Sequence, residues 1–320
     1  KDFGSPQPWS HYKSEIIFPS TTWATSVTPF IREGFVPKFI DVSPHNLSLN
    51  LHLLEQYLLE HSRKVRCVFL TSLLGFTPDM DAIKRISQKY KVEVMLDNCE
   101  NHLGIFKNKN INSFFTSTAS TYFGHLIQSV EGGFVFTNSK KEYEYFVMAR
   151  NHGMTRSLKN PEPYLNPLVD PRFDFHVKGS NFRNSNINAL LCSLNFQRVD
   201  KYIKARLHKY RIFREGMANV LDFPEESPSK TDVPFCLPII PKKEYRHKTP
   251  LFKQYCETHS IETRPLVSGN LLRQTAFKEY GNWQDFKHST FLHDHCFYIG
   301  LYPSLKDSNI RKLCKEFNKI

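Results

Sequence analysis

The chain has 320 residues, 40% hydrophobic, 14% aromatic and 23% charged, with 43 Lys and Arg against 31 Asp and Glu for a net charge of +12. This suits a folded protein with one large core or two smaller ones, and it excludes a disordered chain, a collagen and a disulfide-stapled miniprotein. No run approaches the ~18 consecutive apolar residues of a spanning helix, which argues against a membrane protein.

The basic residues are dispersed, with no zinc-finger, RNP or basic-zipper pattern. The excess charge is then either a solubilising surface or an attraction for a small anion such as a nucleotide; nucleic acid is the weaker choice. Residues 1–12 are polar and lack the apolar stretch of a signal peptide. Seven scattered Cys with no CxxC pair imply reduced thiols in a cytoplasmic protein.

Along the chain, residues 16–18 form a first strand that runs into a Pro-Ser-Thr-Thr turn. Residues 36–42 (VPKFIDV) form a second, followed by a helix over 51–60. Residues 66–70 (RCVFL) form a third, followed by a helix over 79–90 with Asp79 as its N-cap. Residues 92–96 (VEVML) end on Asp97. Strands at 114–120 and 133–137 come next, then a helix at 140–150. Strands separated by helices imply βαβ units and a mainly parallel sheet, with ligands at the carboxyl ends of its strands. Asp97 and the loops after Phe18 and Ser120 are therefore where chemistry is expected. Residues 186–215 form one long helix or two consecutive ones. A Pro- and Ser-containing linker at 223–232 leads to a small α+β unit with strands at 234–240, 261–266 and 297–301. Its helices cover 250–259 and the stretch from Lys306 onward.

The most informative run is STYFGH ending at His125, followed by Glu131-Gly132-Gly133. Together with FPSTTWAT (18–25), GFVPKFIDV (34–42), PDMDAI (78–83), LDNCENHLG (96–104), GGFVFTN (132–138), RNHGM (150–154), GSNFR (179–183) and IETRPLVSGNLLRQ (261–274), it resembles the sugar-modifying family of fold type I pyridoxal-phosphate enzymes. These are the nucleotide-sugar aminotransferases and the related 3-dehydratases. The segments match in order over most of the chain, from Glu15 onward.

The resemblance implies an α/β fold: an aspartate-aminotransferase-like large domain with a mainly parallel sheet (1–205) and a small α+β C-terminal domain (206–320). Six residues before the Glu of EGG the aminotransferases carry the lysine that links covalently to the cofactor. Here that residue is His125, a replacement shared by the 3-dehydratases, and the branch acting on GDP-4-keto-6-deoxymannose is the nearest match. Imidazole forms no stable linkage but exchanges a proton near pH 7.

The implied cofactor is pyridoxal 5′-phosphate/pyridoxamine 5′-phosphate held non-covalently. Its amine engages the C4 ketone of a keto-sugar, the C3 hydroxyl leaves and ammonia is released, and L-glutamate restores the amine form. An aminotransferase, or a non-catalytic relative that binds a nucleotide-sugar or a partner, remains as the alternative. A CDP-sugar branch with the same His works with an iron–sulfur reductase, so a reductase partner is the less favoured option.

By the same resemblance, Asp97 holds the pyridine nitrogen protonated and Trp23 stacks on the ring, unless it is a core aromatic. Ser120 contacts the phosphate, and Glu100 lies near the 3-hydroxyl or is a solvated turn acid. Asn181 and His152 reach the site of a neighbouring subunit, implying a homodimer, although His152 also suits a loop. Arg264 is suited to the nucleotide-sugar's phosphates, while Arg273 is equally a surface charge. His288, His293, His295 and Cys296 match no compact zinc motif and are expected in a solvated loop, with no metal. Lys107 and Lys109 belong to a solvent-facing hairpin. Residues 1–13 lack the family's Gly-Ser/Thr-x-Ala phosphate cradle, so that segment is omitted, or the phosphate is bound by other means or not at all.

Overall fold

Short apolar strands alternating with amphipathic helices close into one six-stranded sheet. The computed structural model describes residues 14–43 and 46–320, so the phosphate-cradle question at residues 1–13 lies outside the described residues. Strand β1 (Glu15–Pro19) runs through the buried Ser20, Thr21 and Thr22 into helix α1 (Ala24–Arg32), and β2 (Val36–Ile40) returns parallel beside it. Helix α2 (Leu51–His61) leads to β3 (Val65–Thr71), and α3 (Met80–Tyr90) leads to β4 (Glu93–Asp97). The Asp79 carboxylate caps α3, accepting the Ala82 N–H at 2.9 Å.

A hairpin of β5 (Ile105–Phe106) and β6 (Lys109–Asn110) precedes β7 (Thr116–Ser120). The strand expected from residue 114 starts at 116, because Phe114 closes a 3₁₀ turn over Ile111–Ser113. The edge strand β8 (Gly133–Phe136) pairs antiparallel with β7 and feeds α4 (Lys140–Ala149). The sheet order is β2-β1-β3-β4-β7-β8, parallel apart from β8. Strands β1 and β3 are almost wholly buried because both faces are covered, which explains their continuous apolar runs.

The expected long helix is two: α5 (Asn186–Phe196), none of whose residues is buried, and α6 (Val199–Met217). The division expected between 205 and 206 falls inside α6, a continuous helix. Residues 223–232, expected as a linker, are instead tied to the large sheet's periphery. Within them β9 (Lys230–Thr231) pairs with β5, the Lys107 N–H donates to the Ser229 carbonyl at 2.7 Å, and the Thr77 N–H to the Asp232 carboxylate at 2.8 Å. Pro and Ser mark turns locally, but the unpaired edge of β5 recruits this segment from more than a hundred residues away.

Beyond it, β10 (Cys236–Ile239), β11 (Thr263–Pro265) and β12 (Phe297–Gly300) form an antiparallel sheet in the order β10-β12-β11, with α7 (Thr249–Thr258), α8 (Lys287–His295) and α9 (Asp307–Phe317) around it. One apolar cluster joins Leu73, Leu74 and Phe76 to Phe213, Phe252, Phe297 and Phe317, so the smaller unit shares its core with the end of β3.

The expected loop at 288–296 is corrected: His288, His293 and His295 sit on α8, and Cys296 is buried just after it. The N–H groups of His288 and Ser289 are satisfied by Asp41 at 2.8 and 2.9 Å, an N-terminal acceptor supplied from just beyond β2 and invisible in the local sequence. Among the described residues no helix is long and apolar enough to cross a membrane, and none of the seven cysteines is in a disulfide.

Candidate active site

The carboxyl ends of the central strands open into a cleft of about 1460 Å³ shared with the antiparallel sheet. Asp97 ends β4 there. Its Oδ2 accepts the Ser26 hydroxyl at 2.6 Å and its Oδ1 the Cys99 N–H at 3.2 Å. Ser26 is within reach because α1 begins immediately after Trp23, which turns the first helical residues toward β4. Trp23 is 56% exposed and lines the cleft, so it is not a core aromatic.

The loop between β7 and β8 carries His125. It is pinned at both ends: the Thr121 N–H donates to the Gly132 carbonyl at 2.9 Å, and the Thr121 and Ser129 hydroxyls bond at 2.7 Å. Ser120 accepts the Tyr122 N–H at 3.2 Å, so its hydroxyl shapes this turn as well as lining the cleft. The His125 ring meets the edges of Phe235 and Tyr122 at centroid distances of 5.5 and 5.8 Å. Burial lowers its pKa, opposed by the Ser120 backbone and the Asp97 carboxylate. That environment favours a neutral imidazole, able to accept a proton.

Glu100 is not a solvated turn acid. Its carboxylate accepts the Leu74 N–H at 2.6 Å. Burial, reinforced by nearby Asp97, raises its pKa to about 7, while the Leu74 N–H holds it down. Cys99 beside it is pushed up by burial and by Asp97, leaving an unreactive thiol.

Arg264 lines the small-sheet side of the cleft and is bound by Glu262 through Nε at 2.9 Å and Nη2 at 2.8 Å. Arg273 does not line the cleft: it stacks on Trp283 and pairs with Asp294. Arg206 escaped the sequence reading. It is buried, and its Nη1 donates to the carbonyls of Phe235 at 3.0 Å and Leu301 at 2.6 Å, latching α6 to β10 and β12 at the cleft wall. Ser26 also escaped notice; its only sequence signal is its position three residues after Trp23.

His152 and Asn181 do not line the cleft of their own chain. They lie side by side, joined by the bridge between Asn151 and Asn181 and by the His152 N–H to the Ser180 carbonyl at 2.9 Å. Phe182, next to Asn181, is 78% exposed, and on α5 Ile187 is 71% exposed, with Leu190 and Phe196 exposed as well. Among the described residues no cluster of His, Cys, Asp or Glu could hold a metal ion.

A carboxylate anchored by a hydroxyl, an exposed indole and a second carboxyl that is half protonated near neutrality line one cleft. This donor set fits a flat, protonated pyridine ring carrying a phenolic oxygen. The lysine that lines the cleft, Lys312, is on α9, and the loop position after β7 holds His125.

The strand order and the cleft at the strands' carboxyl ends make this an aspartate-aminotransferase-like α/β fold of type I. The chain belongs to the DegT/DnrJ/EryC1/StrS aminotransferase family, whose profile matches residues 11–318. It is 26% identical to GDP-4-keto-6-deoxy-D-mannose 3-dehydratase of Yersinia pseudotuberculosis, over 99% of this chain and 82% of that protein. With the Escherichia coli O55:H7 protein of the same name it shares 25% identity over 87% and 72% of the two chains. The structure of E. coli GDP-4-keto-6-deoxy-D-mannose-3-dehydratase with bound hydrated PLP superposes with a TM-score of 0.86 at 23% identity, covering 95% of this chain and 79% of that one.

Proposed function

We propose that this chain is a pyridoxal/pyridoxamine-phosphate-dependent 3-dehydratase of a nucleotide-linked 4-keto-6-deoxy sugar, with GDP-4-keto-6-deoxymannose the preferred substrate. The observation that carries this is His125 in the cleft, at the loop position where the family's aminotransferases carry their lysine. When bound, the cofactor supplies an amine for the C4 ketone and a ring that accepts electrons.

Asp97 keeps the ring nitrogen protonated, and Ser26 fixes the carboxylate that does so. Trp23 packs on the ring face, Glu100 meets its phenolic oxygen and Ser120 the phosphate. His125, neutral through burial, takes a proton next to the ring and returns one as the C3 hydroxyl departs as water. Arg264 is released from Glu262 to meet the diphosphate, a bidentate acceptor better matched to guanidinium. L-Glutamate restores the amine form and leaves as 2-oxoglutarate.

The enzyme is a homodimer in which His152 and Asn181 of one subunit complete the cleft of the other. The unburied α5 and the apolar residues around it support that arrangement. It acts in the cytoplasm, in the supply of deoxysugars for surface polysaccharide, with a reductase partner the less favoured option. The test is one incubation of the protein with PLP, L-glutamate and GDP-4-keto-6-deoxymannose. Ammonia together with a 3-deoxy-4-keto sugar is expected. An amino sugar would make it an aminotransferase, and no turnover and no PLP binding would make it a non-catalytic relative.

A further inference from the structure

A lysine in the loop after β7 would be tethered by its covalent bond, whereas an imidazole has to be held by its surroundings. Among the described residues Nδ1 of His125 has no hydrogen-bond partner. What meets the ring is aromatic: Tyr122 at 5.8 Å and 74°, and Phe235 at 5.5 Å and 75°. Tyr298 meets Phe235 in turn at 6.0 Å and 65°. Each pair is edge to face, an arrangement aromatic rings prefer, and all four residues line the cleft.

Tyr122 belongs to the same loop as His125 and gives it no outside reference. Phe235 does, because it comes from the small unit, just before β10. Residues 233–235 are gripped from three directions. The Val233 N–H donates to Asn101 Oδ1 at 3.2 Å and the Phe235 N–H to the Leu74 carbonyl at 2.9 Å. The carbonyls of Pro234 and Phe235 accept from Nη1 of the buried Arg206 at 3.4 and 3.0 Å. Gly75, at φ +91°, permits this approach: a Cβ there would lie 2.4 Å from the Val233 carbonyl oxygen and 2.7 Å from the Phe235 nitrogen. The same Leu74 donates its N–H to Glu100 at 2.6 Å. One strut therefore ties the ring against His125 to the segment that carries Glu100.

We propose that Phe235 is a positioning residue for His125: gripped by Leu74 and Arg206, its ring sets the plane of the imidazole and keeps water from that flank. This rests on the reading of His125 as the acid/base group. The titratable groups acting on His125 are Asp97 from β4, His102 from the segment after it and Tyr122 from its own loop. None of them is altered in a Phe235 variant, so a change in the His125 titration reads the ring.

The test begins with histidine- and phenylalanine-labelled native protein without cofactor. A nuclear Overhauser contact between the His125 imidazole and the Phe235 ring is expected, and its absence would overturn the proposal with no variant needed. Phe235→Leu keeps an apolar side chain but gives up the ring edge. Burial holds the His125 pKa below 6.5, so opening that flank should raise its titration toward 6.5. Phe235→Tyr keeps the edge and should titrate as the native chain does. With PLP and saturating L-glutamate, Phe235→Leu should convert the cofactor about tenfold more slowly at unchanged glutamate KM, and Phe235→Tyr should recover the rate. Native titration and rate in a folded Phe235→Leu protein would overturn the proposal. Equal losses in Phe235→Leu and Phe235→Tyr would make the residue a filler of volume and reject the positioning role. No conversion by the native chain, alongside the expected contact and titration, would fault the enzymatic reading and with it the catalytic use of this ring, leaving the packing intact.

Discussion

Replacing Glu100 with Gln tests whether the carboxyl beside Asp97 is held near neutrality by its surroundings. The amide keeps an oxygen for the Leu74 N–H, which lies in a tight turn where Leu74 itself has φ of 56°, so the local geometry is retained. What changes is ionisation. The folded-state pKa is raised from 4.5 to about 7, burial being the leading cause. A raised folded pKa means that the group's contribution to stability is fully present below about 4.5 and is lost as pH climbs through about 7. At about 1.4 kcal/mol per pH unit, that window is worth about 3 kcal/mol.

The Gln variant has no such loss. Its stability relative to the native chain should therefore rise by about 3 kcal/mol between pH 4.5 and pH 8. His102 and His125 act in the opposite direction, since burial lowers both: their contributions are lost as pH falls below 6.5, for His102 toward about 4. They are present in both proteins and cancel in the difference. Urea unfolding of the two cofactor-free proteins at pH steps, compared at equal m value, reads the effect. A difference that stays constant from pH 4.5 to 8 would show that the Glu100 carboxyl is not isolated from water, and the assignment of burial as the cause would fail.

Ser26→Ala removes the hydroxyl from Asp97 while placing a good helix former in α1; PLP affinity should fall about tenfold, read by titration, and an unchanged affinity would remove Ser26 from the site. Gly153→Ala and Gly34→Ala form a matched pair, with φ of +88° and +84°. A Cβ at Gly153 would sit 1.8 Å from the Val177 carbonyl, so more than about 3 kcal/mol should be lost, whereas Gly34 has open space and should lose only about 1 kcal/mol. Equal melting temperatures for the two variants would contradict the packing at Gly153. Ile187→Asp places a charge on the unburied face of α5 and should give a folded monomer by light scattering, with turnover lost; a persistent dimer would move the interface elsewhere.

Local patterns were enough for the alternation of strands and helices, the Asp79 cap and the position of Asp97 at a strand's end. Each depends on neighbours two to four residues away, and periodicity and capping chemistry act at that range. His125 at the position of the aminotransferases' lysine was implied by the family resemblance, which compares residue identities along the chain.

Tertiary structure alone decided the rest. Ser26 meets Asp97 across 71 residues and Asp41 caps α8 across 247, while β9 is recruited by a hairpin edge from what looked like a linker. Whether Glu100 is a solvated acid or a half-protonated one depends on the Leu74 amide and the walls around it, and a sequence does not encode the dielectric at a carboxyl. Likewise His102 resembles any turn histidine until the fold buries it, and His152 and Asn181 show only in three dimensions that they do not line their own cleft.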